Sequence, residues 1–178
     1  FKPEKDRYHL YIAHACPWAN RAQIVRKLKG LEKFISLSIV HPTWQQTKPG
    51  VDDHCGWVFA DEDTALSSTE GFGSFKVKGI IPDYVNGAKT VRELYEKVTD
   101  KKVTFSVPIL WDKKLNTIVN NESSEIIRIF NSAFNEFAEN PDLDLYPESH
   151  RERIDEVNEW IYDNINNGVY KSGFARSQ

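Results

Sequence analysis

The chain of 178 residues is 40% hydrophobic and 12% aromatic, long enough for one large or two small domains with a proper core and too apolar for a disordered polymer. A formal net charge of −3 gives no electrostatic reason to expect nucleic acid or an anionic membrane as partner. Two cysteines exclude a disulfide scaffold, no apolar run approaches the roughly 18 residues of a spanning helix, and the first residues lack a signal-peptide pattern, so a cytoplasmic location is expected.

Tyr8 to Ala13, with Leu10 and Ile12 on one face and Tyr8 and Tyr11 among the aromatic strand formers, predicts a short strand. A helix follows. Pro17 suits its first position, Ala22, Ile24, Val25 and Leu28 form an apolar stripe, and Gly30 is a natural stop. Phe34 to Val40 predicts a second strand and thus a right-handed βαβ unit with parallel pairing. From His41 to Asn86 the pattern dissolves into Pro, Gly, Asp, Ser and Thr, predicting a long irregular segment that is either functional or decorative.

Val91, Leu94, Tyr95 and Val98 predict a second helix from Thr90. Val107–Trp111 and Thr117–Asn120, around the polar turn 112–116, predict an antiparallel hairpin. A third helix opens with Asn121 as cap and Glu122 and Glu125 in its first turn, and buries Ile126, Ile127, Phe130, Phe134 and Phe137. The composition of 135–148 is that of a linker. Ser149 to Glu152 is a capping-box pattern, and Ile154, Val157, Ile161 and Ile165 continue a helix to the stop at Asn166-Asn-Gly168. The expected division is a sheet domain over 1–138, a linker over 139–148 and the beginning of a helical domain over 149–178. The start at Phe1 and the unterminated end suggest a piece of a longer protein, which leaves room for a lost organellar targeting peptide.

The chemistry concentrates at Cys16, which this reading places at the cap of the first helix. A sulfur there faces the positive end of the helix dipole and unpaired N–H groups, expected to be those of Trp18 and Ala19. The dipole contributes only about 0.3 to 2 kcal/mol. Bringing a thiol from about 8.5 to about 5.5 needs roughly 4 kcal/mol, so N–H bonds to the sulfur would have to supply much of it. The second cysteine of a C-x-x-C motif is replaced by Ala19. A mixed disulfide on Cys16 must then be released by an outside thiol, which predicts monothiol chemistry. His14, His41, His54 and Cys55 match no zinc spacing, and no metal is expected.

Arg7-Tyr-His-Leu-Tyr, Ala15-Cys-Pro-Trp-Ala, Arg26-Lys-Leu-Lys-Gly-Leu-Glu, Gly56-Trp-Val-Phe, Val107-Pro-Ile-Leu-Trp-Asp, Thr117-Ile-Val-Asn-Asn-Glu-Ser and Gly168-Val-Tyr-Lys together resemble the glutathionyl-hydroquinone reductases, the Xi-class, omega-like glutathione transferases. The resemblance implies an α/β, thioredoxin-like N-terminal domain followed by a truncated all-α C-terminal domain. It implies that Cys16 takes glutathione off an S-glutathionyl hydroquinone and that a second glutathione releases oxidised glutathione. Val107 and a cis Pro108 would pair with the cysteinyl part of glutathione, and Glu122 and Ser123 would clamp its γ-glutamyl end.

By the same resemblance Trp57 would cover the bound glutathione and stack on an aromatic substrate, and Tyr170 would line the quinol pocket and donate a proton. Arg21, Arg26, Lys27 and Lys29 read as a solvated face of the first helix, one of them free to meet the glycyl carboxylate. A homodimer and quinol-glutathione conjugates are the implied partners. An omega-like thioltransferase or dehydroascorbate reductase, and a noncatalytic transferase-like interaction module, are the competing readings.

Overall fold

The computed structural model describes residues 1–69 and 71–177. The chain divides into two compact units, Phe1–Leu143 and Asp144–Gln178.

The first unit is built on β1 (Tyr8–Ile12), every residue of which is buried. Burial on both faces suits a strand flanked by neighbours on either side and explains why its polar His9 is also inside. Pro17 starts α1 (Pro17–Leu28), and Gly30 ends it with φ at +66°. A side chain at Gly30 would also bring its Cβ to 2.5 Å from the Cβ of Glu139, so both conformation and space require glycine there. Next, β2 (Ile35–Ile39) pairs parallel with β1, Leu10 opposite Leu37.

Farther on, β7 (Ile109–Asp112) pairs antiparallel with β1, and β8 (Thr117–Asn120) with β7, giving the order β2-β1-β7-β8. The hairpin turn is set by Asp112, whose Oδ1 accepts from the N–H groups of Lys114 and Leu115, with Asn116 at φ +52°. Asp112 is itself buried and held by Arg7, whose Nε and guanidinium nitrogen reach its Oδ2 at 3.0 and 2.6 Å. The helix α3 (Ser123–Ser132) packs against α1 and sinks Ile126 and Phe130 fully into the core with Leu10, Ile109 and Trp111. Phe134 is buried as well, one residue past the cap, while Ile127 and Phe137 are only half-buried.

The segment expected to be irregular carries two hairpins: β3 (His41–Gln46) with β4 (Cys55–Val58), and the short β5 (Leu66–Ser67) with β6 (Ser74–Phe75). Gln45 Nε2 donates to the Ser67 carbonyl at 2.8 Å and ties them together. Bridges from Ile39 to Ile81 and from Val58 to Thr90 fasten the segment to the sheet edge and to α2 (Val91–Glu96). Asp83 winds 83–88 into a turn by accepting from the N–H groups of Val85, Asn86 and Ala88, and the Tyr11 hydroxyl on β1 donates to it at 2.9 Å. Thr90 caps α2, its hydroxyl accepting from Glu93 N–H.

Several sequence expectations are corrected. Ile24 and Leu28 are 55% and 45% exposed, whereas Arg26 and Lys29 are 7% and 0% exposed. The basic pair is not a solvated face because backbone carbonyls from distant segments receive it. Arg26 donates to Glu32 and Ile35, and Lys29 Nζ to Pro141 at 3.1 Å and Leu143 at 2.7 Å. Glu122, not Asn121, stands at the N-cap position of α3, without a side-chain capping bond, and the Asn121 amide instead donates to the Tyr95 hydroxyl at 3.0 Å.

The second unit opens with a 3-10 turn over Glu148–His150, and α4 (Arg151–Ile161) begins after His150 with no side-chain cap, so Ser149 and Glu152 form no capping box. A π segment, Tyr162–Asn166, carries the chain into α5 (Asn167–Gly173), and Gly168 continues the helix rather than stopping it. No residue of α4, the π segment or α5 is buried.

Candidate functional site

Three elements of the first unit converge where β1 ends. Cys16 stands at the cap of α1 in extended conformation, φ −101° and ψ 112°. Its backbone N–H donates to Ala13 and its carbonyl accepts from Asn20, which fixes the turn out of the strand. The expected sulfur bonds to the first N–H groups of the helix are absent. The thiol instead points across to β7 and donates to the Val107 carbonyl at 3.5 Å. That acceptor lies within reach because the chain enters β7 beside Cys16, and only a protonated thiol can make this contact. The sulfur is half-buried rather than walled off.

The Val107–Pro108 peptide is cis, as the resemblance implied. The approach to it is braced from two sides. Buried Tyr95 on α2 donates its hydroxyl to the Ser106 carbonyl at 2.9 Å and accepts from Asn121 just before α3. Burial pushes that hydroxyl's pKa up, so it stays a protonated donor.

At the start of α3, Ser123 is 4% exposed while Glu122 is open to solvent. The Ser123 Oγ accepts from Arg21 Nε on α1 at 2.9 Å, and the Arg21 guanidinium lies over the Trp18 ring at 4.8 Å from its centroid. Arg21 therefore links the helix that carries Cys16 to the helix that begins at Ser123. This link to Ser123, in place of a solvated face, was missed from sequence. The spacing of Trp18 and Arg21, three apart and hence on one side of α1, was the available signal.

Trp57 lies in a cleft of about 430 Å³ between the two hairpins. Its ring meets Trp44 edge to face at 5.3 Å, and Pro42, Phe75 and Cys55 complete the apolar walls. The hydroxyls of Thr43, Ser68 and Thr69 supply polar edges. Cys55 Sγ is 3.2 Å from Thr69 Oγ1. His41 secures this wall: its Nδ1 accepts from Thr43 N–H, so its Nε2 carries the proton and donates to the Phe75 carbonyl. Trp44 and Phe75, the partners of Trp57, lay in the stretch that sequence periodicity left unread. Tyr170 belongs to the second unit, where its ring stacks on Phe174 at 6.4 Å. Among the described residues no group of three or more His, Cys, Asp or Glu gathers to hold a metal ion.

A thioredoxin-like sheet with a cysteine at the first helix start, a cis proline facing it and a helix N-terminus beside both defines a class of thiol-handling domains. Residues 15–133 match the family model described as glutathione S-transferase, N-terminal domain, and the chain belongs to that family. It is 46% identical over 181 residues to the glutathionyl-hydroquinone reductase YqjG of Escherichia coli, an alignment covering 100% of this chain and 48% of that protein. The crystal structure of the glutathione S-transferase Xi from Phanerochaete chrysosporium matches with a TM-score of 0.84 and 51% identity, over 100% of this chain and 54% of that one. The glutathione-bound structure of YqjG matches with a TM-score of 0.83 and 45% identity, over 100% and 51%. The chain thus spans about half the length of the relatives it matches.

Proposed function

We propose that this chain is the glutathione-binding half of a glutathionyl-hydroquinone reductase and carries its nucleophile, Cys16. The contact between Cys16 Sγ and the Val107 carbonyl, 3.5 Å long, carries the reading. An extended tripeptide thiol laid along Val107 would put its own sulfur against that of Cys16 and its γ-glutamyl end toward Ser123 and Glu122. The nearby Trp18 and the aromatic cleft around Trp57 suit a ring-bearing co-substrate.

In this scheme Cys16, once ionised, attacks the glutathione sulfur of an S-glutathionyl hydroquinone. The S–S bond forms as the sulfur–aryl bond breaks, and the aryl group leaves with the electron pair and takes a proton from a general acid or solvent. Glutathione thiolate then attacks the mixed disulfide and departs as oxidised glutathione, returning Cys16. The fully buried Ala19, at the position where a second thiol would resolve that disulfide internally, supports the monothiol route.

The test is mass spectrometry after incubation with oxidised glutathione, combined with turnover of a glutathionylated hydroquinone, dehydroascorbate and a glutathionylated peptide by the full-length protein. An adduct on Cys16 with turnover favouring the quinol by orders of magnitude is expected. No adduct would point to an interaction module, and preference for either other substrate to a thioltransferase or dehydroascorbate reductase.

A further inference from the structure

The Arg21 guanidinium decides which way the Ser123 hydroxyl can act. A guanidinium offers donors and no acceptor. Since Arg21 Nε–H donates to Ser123 Oγ at 2.9 Å, the serine oxygen is committed as acceptor on that side. Its own proton is turned away from the arginine, toward whatever acceptor sits at the first turn of α3. The two donors stand in series, Nε–H to Oγ and Oγ–H to the next acceptor, and each polarises the other. Burial of Ser123, at 4% exposure, sharpens this by keeping water from competing for the oxygen. A hydroxyl polarised in this way bonds more strongly to an ionised carboxylate than to a neutral amide oxygen. The cation–π contact of Arg21 with Trp18, in the first turn of α1 beside Cys16, helps to hold the guanidinium in place.

We propose that Arg21 is a positioning residue that holds Ser123 as an obligate donor, and thereby makes the site selective for a free γ-glutamyl α-carboxylate over its neutral amide. This rests on the glutathione reading above and assigns Arg21 to the γ-glutamyl end, not the glycyl end.

The test uses the full-length protein with S-methylglutathione, which cannot exchange with Cys16, and the same ligand carrying an α-carboxamide on its γ-glutamyl residue. Binding is followed by calorimetry. The native protein is expected to prefer the carboxylate by about tenfold or more. Arg21→Met, which keeps the stem on Trp18 and removes the donors, is expected to cut that preference to less than about threefold. Arg21→Lys, a donor-only charge, is expected to restore most of it, which a purely packing role would not do.

Ser123→Ala alone is expected to remove the preference, and adding Arg21→Met to it to change binding of either ligand by less than about twofold. This arm does not depend on Arg21→Met folding by itself. Preference retained in Ser123→Ala, or an Arg21→Met loss undiminished in the Ser123→Ala background, overturns the proposal while leaving glutathione binding standing. Failure of the native protein to bind S-methylglutathione overturns both.

Discussion

Two amphipathic helices of similar length have opposite fates in this chain. In α3, Ile126 and Phe130 vanish into a core shared with a sheet and with α1. In α4, which follows its own apolar spacing, nothing is buried, and Trp160 remains 60% exposed. An apolar stripe predicts a helix, but only a surface that receives the stripe turns it into stability. The first unit supplies such a surface and can therefore hold Cys16, Val107 and Ser123 in fixed relation. Tyr170 sits in a unit whose described helices, by themselves, form no core.

The contrast can be tested at several strengths, beginning with chemistry that should depend on the first unit alone. Cys16→Ser is expected to remove the glutathione adduct and lower turnover at least about a thousandfold while leaving the melting temperature nearly unchanged. Cys55→Ser should retain the Cys16 adduct. Phe130→Ala, which empties fully buried space beside Phe134, is expected to cost about 3–5 kcal/mol in urea unfolding. A loss below about 1 kcal/mol would show that the core closes less tightly than its burial implies.

His9 supplies a pH signature of the same core. Burial lowers its imidazole to about 3, against an ordinary value of 6.5, so the folded state keeps it neutral while the unfolded chain protonates it. The stability this provides is complete well above pH 6.5 and is lost as pH falls through 6.5 toward 3. Between pH 6.5 and 5, before most carboxylates titrate, the unfolding free energy should drop by about 1.6 kcal/mol, the slope rising toward about 1.4 kcal/mol per unit. In His9→Asn the slope over this window should flatten by that amount.

Ser123→Ala should weaken glutathione binding about tenfold, as expected for one hydrogen bond to a charged ligand, with the rate of Cys16 alkylation by iodoacetamide unchanged. The smallest effect is expected in the second unit. Val169→Ala, at a position 68% exposed on α5, should change the stability of residues 1–178 by less than about 0.5 kcal/mol.

What could be read from the sequence was whatever depends on near neighbours. Pro17 after an aromatic strand, the 112–116 turn and Thr90 before Val91 each act within a few residues, and each appears where expected. Cys16 was located for the same reason. What its sulfur touches was not legible, because Val107 arrives from 91 residues away. Nor was the burial of Lys29 and Arg26: charged side chains read as solvated until distant carbonyls accept from them. The hairpins of 41–75 escaped for a related reason. Short strands set among polar and Gly-containing loops gain stability from pairing across a loop, not from their own pattern. At α3, Asn121 suited a cap by its residue type, but its amide is engaged by Tyr95, which comes from another helix.

Lys29 has a consequence for how the chain leaves the sheet unit. Its ammonium, fully enclosed, grips the carbonyls of Pro141 and Leu143, while neighbouring Gly30 leaves room for Glu139 and nothing larger than hydrogen beside it. The exit path is thus pegged and seated like a cable in a clip. Composition alone marks this stretch as slack tether, yet its first residues, through Leu143, are part of the compact unit that precedes them.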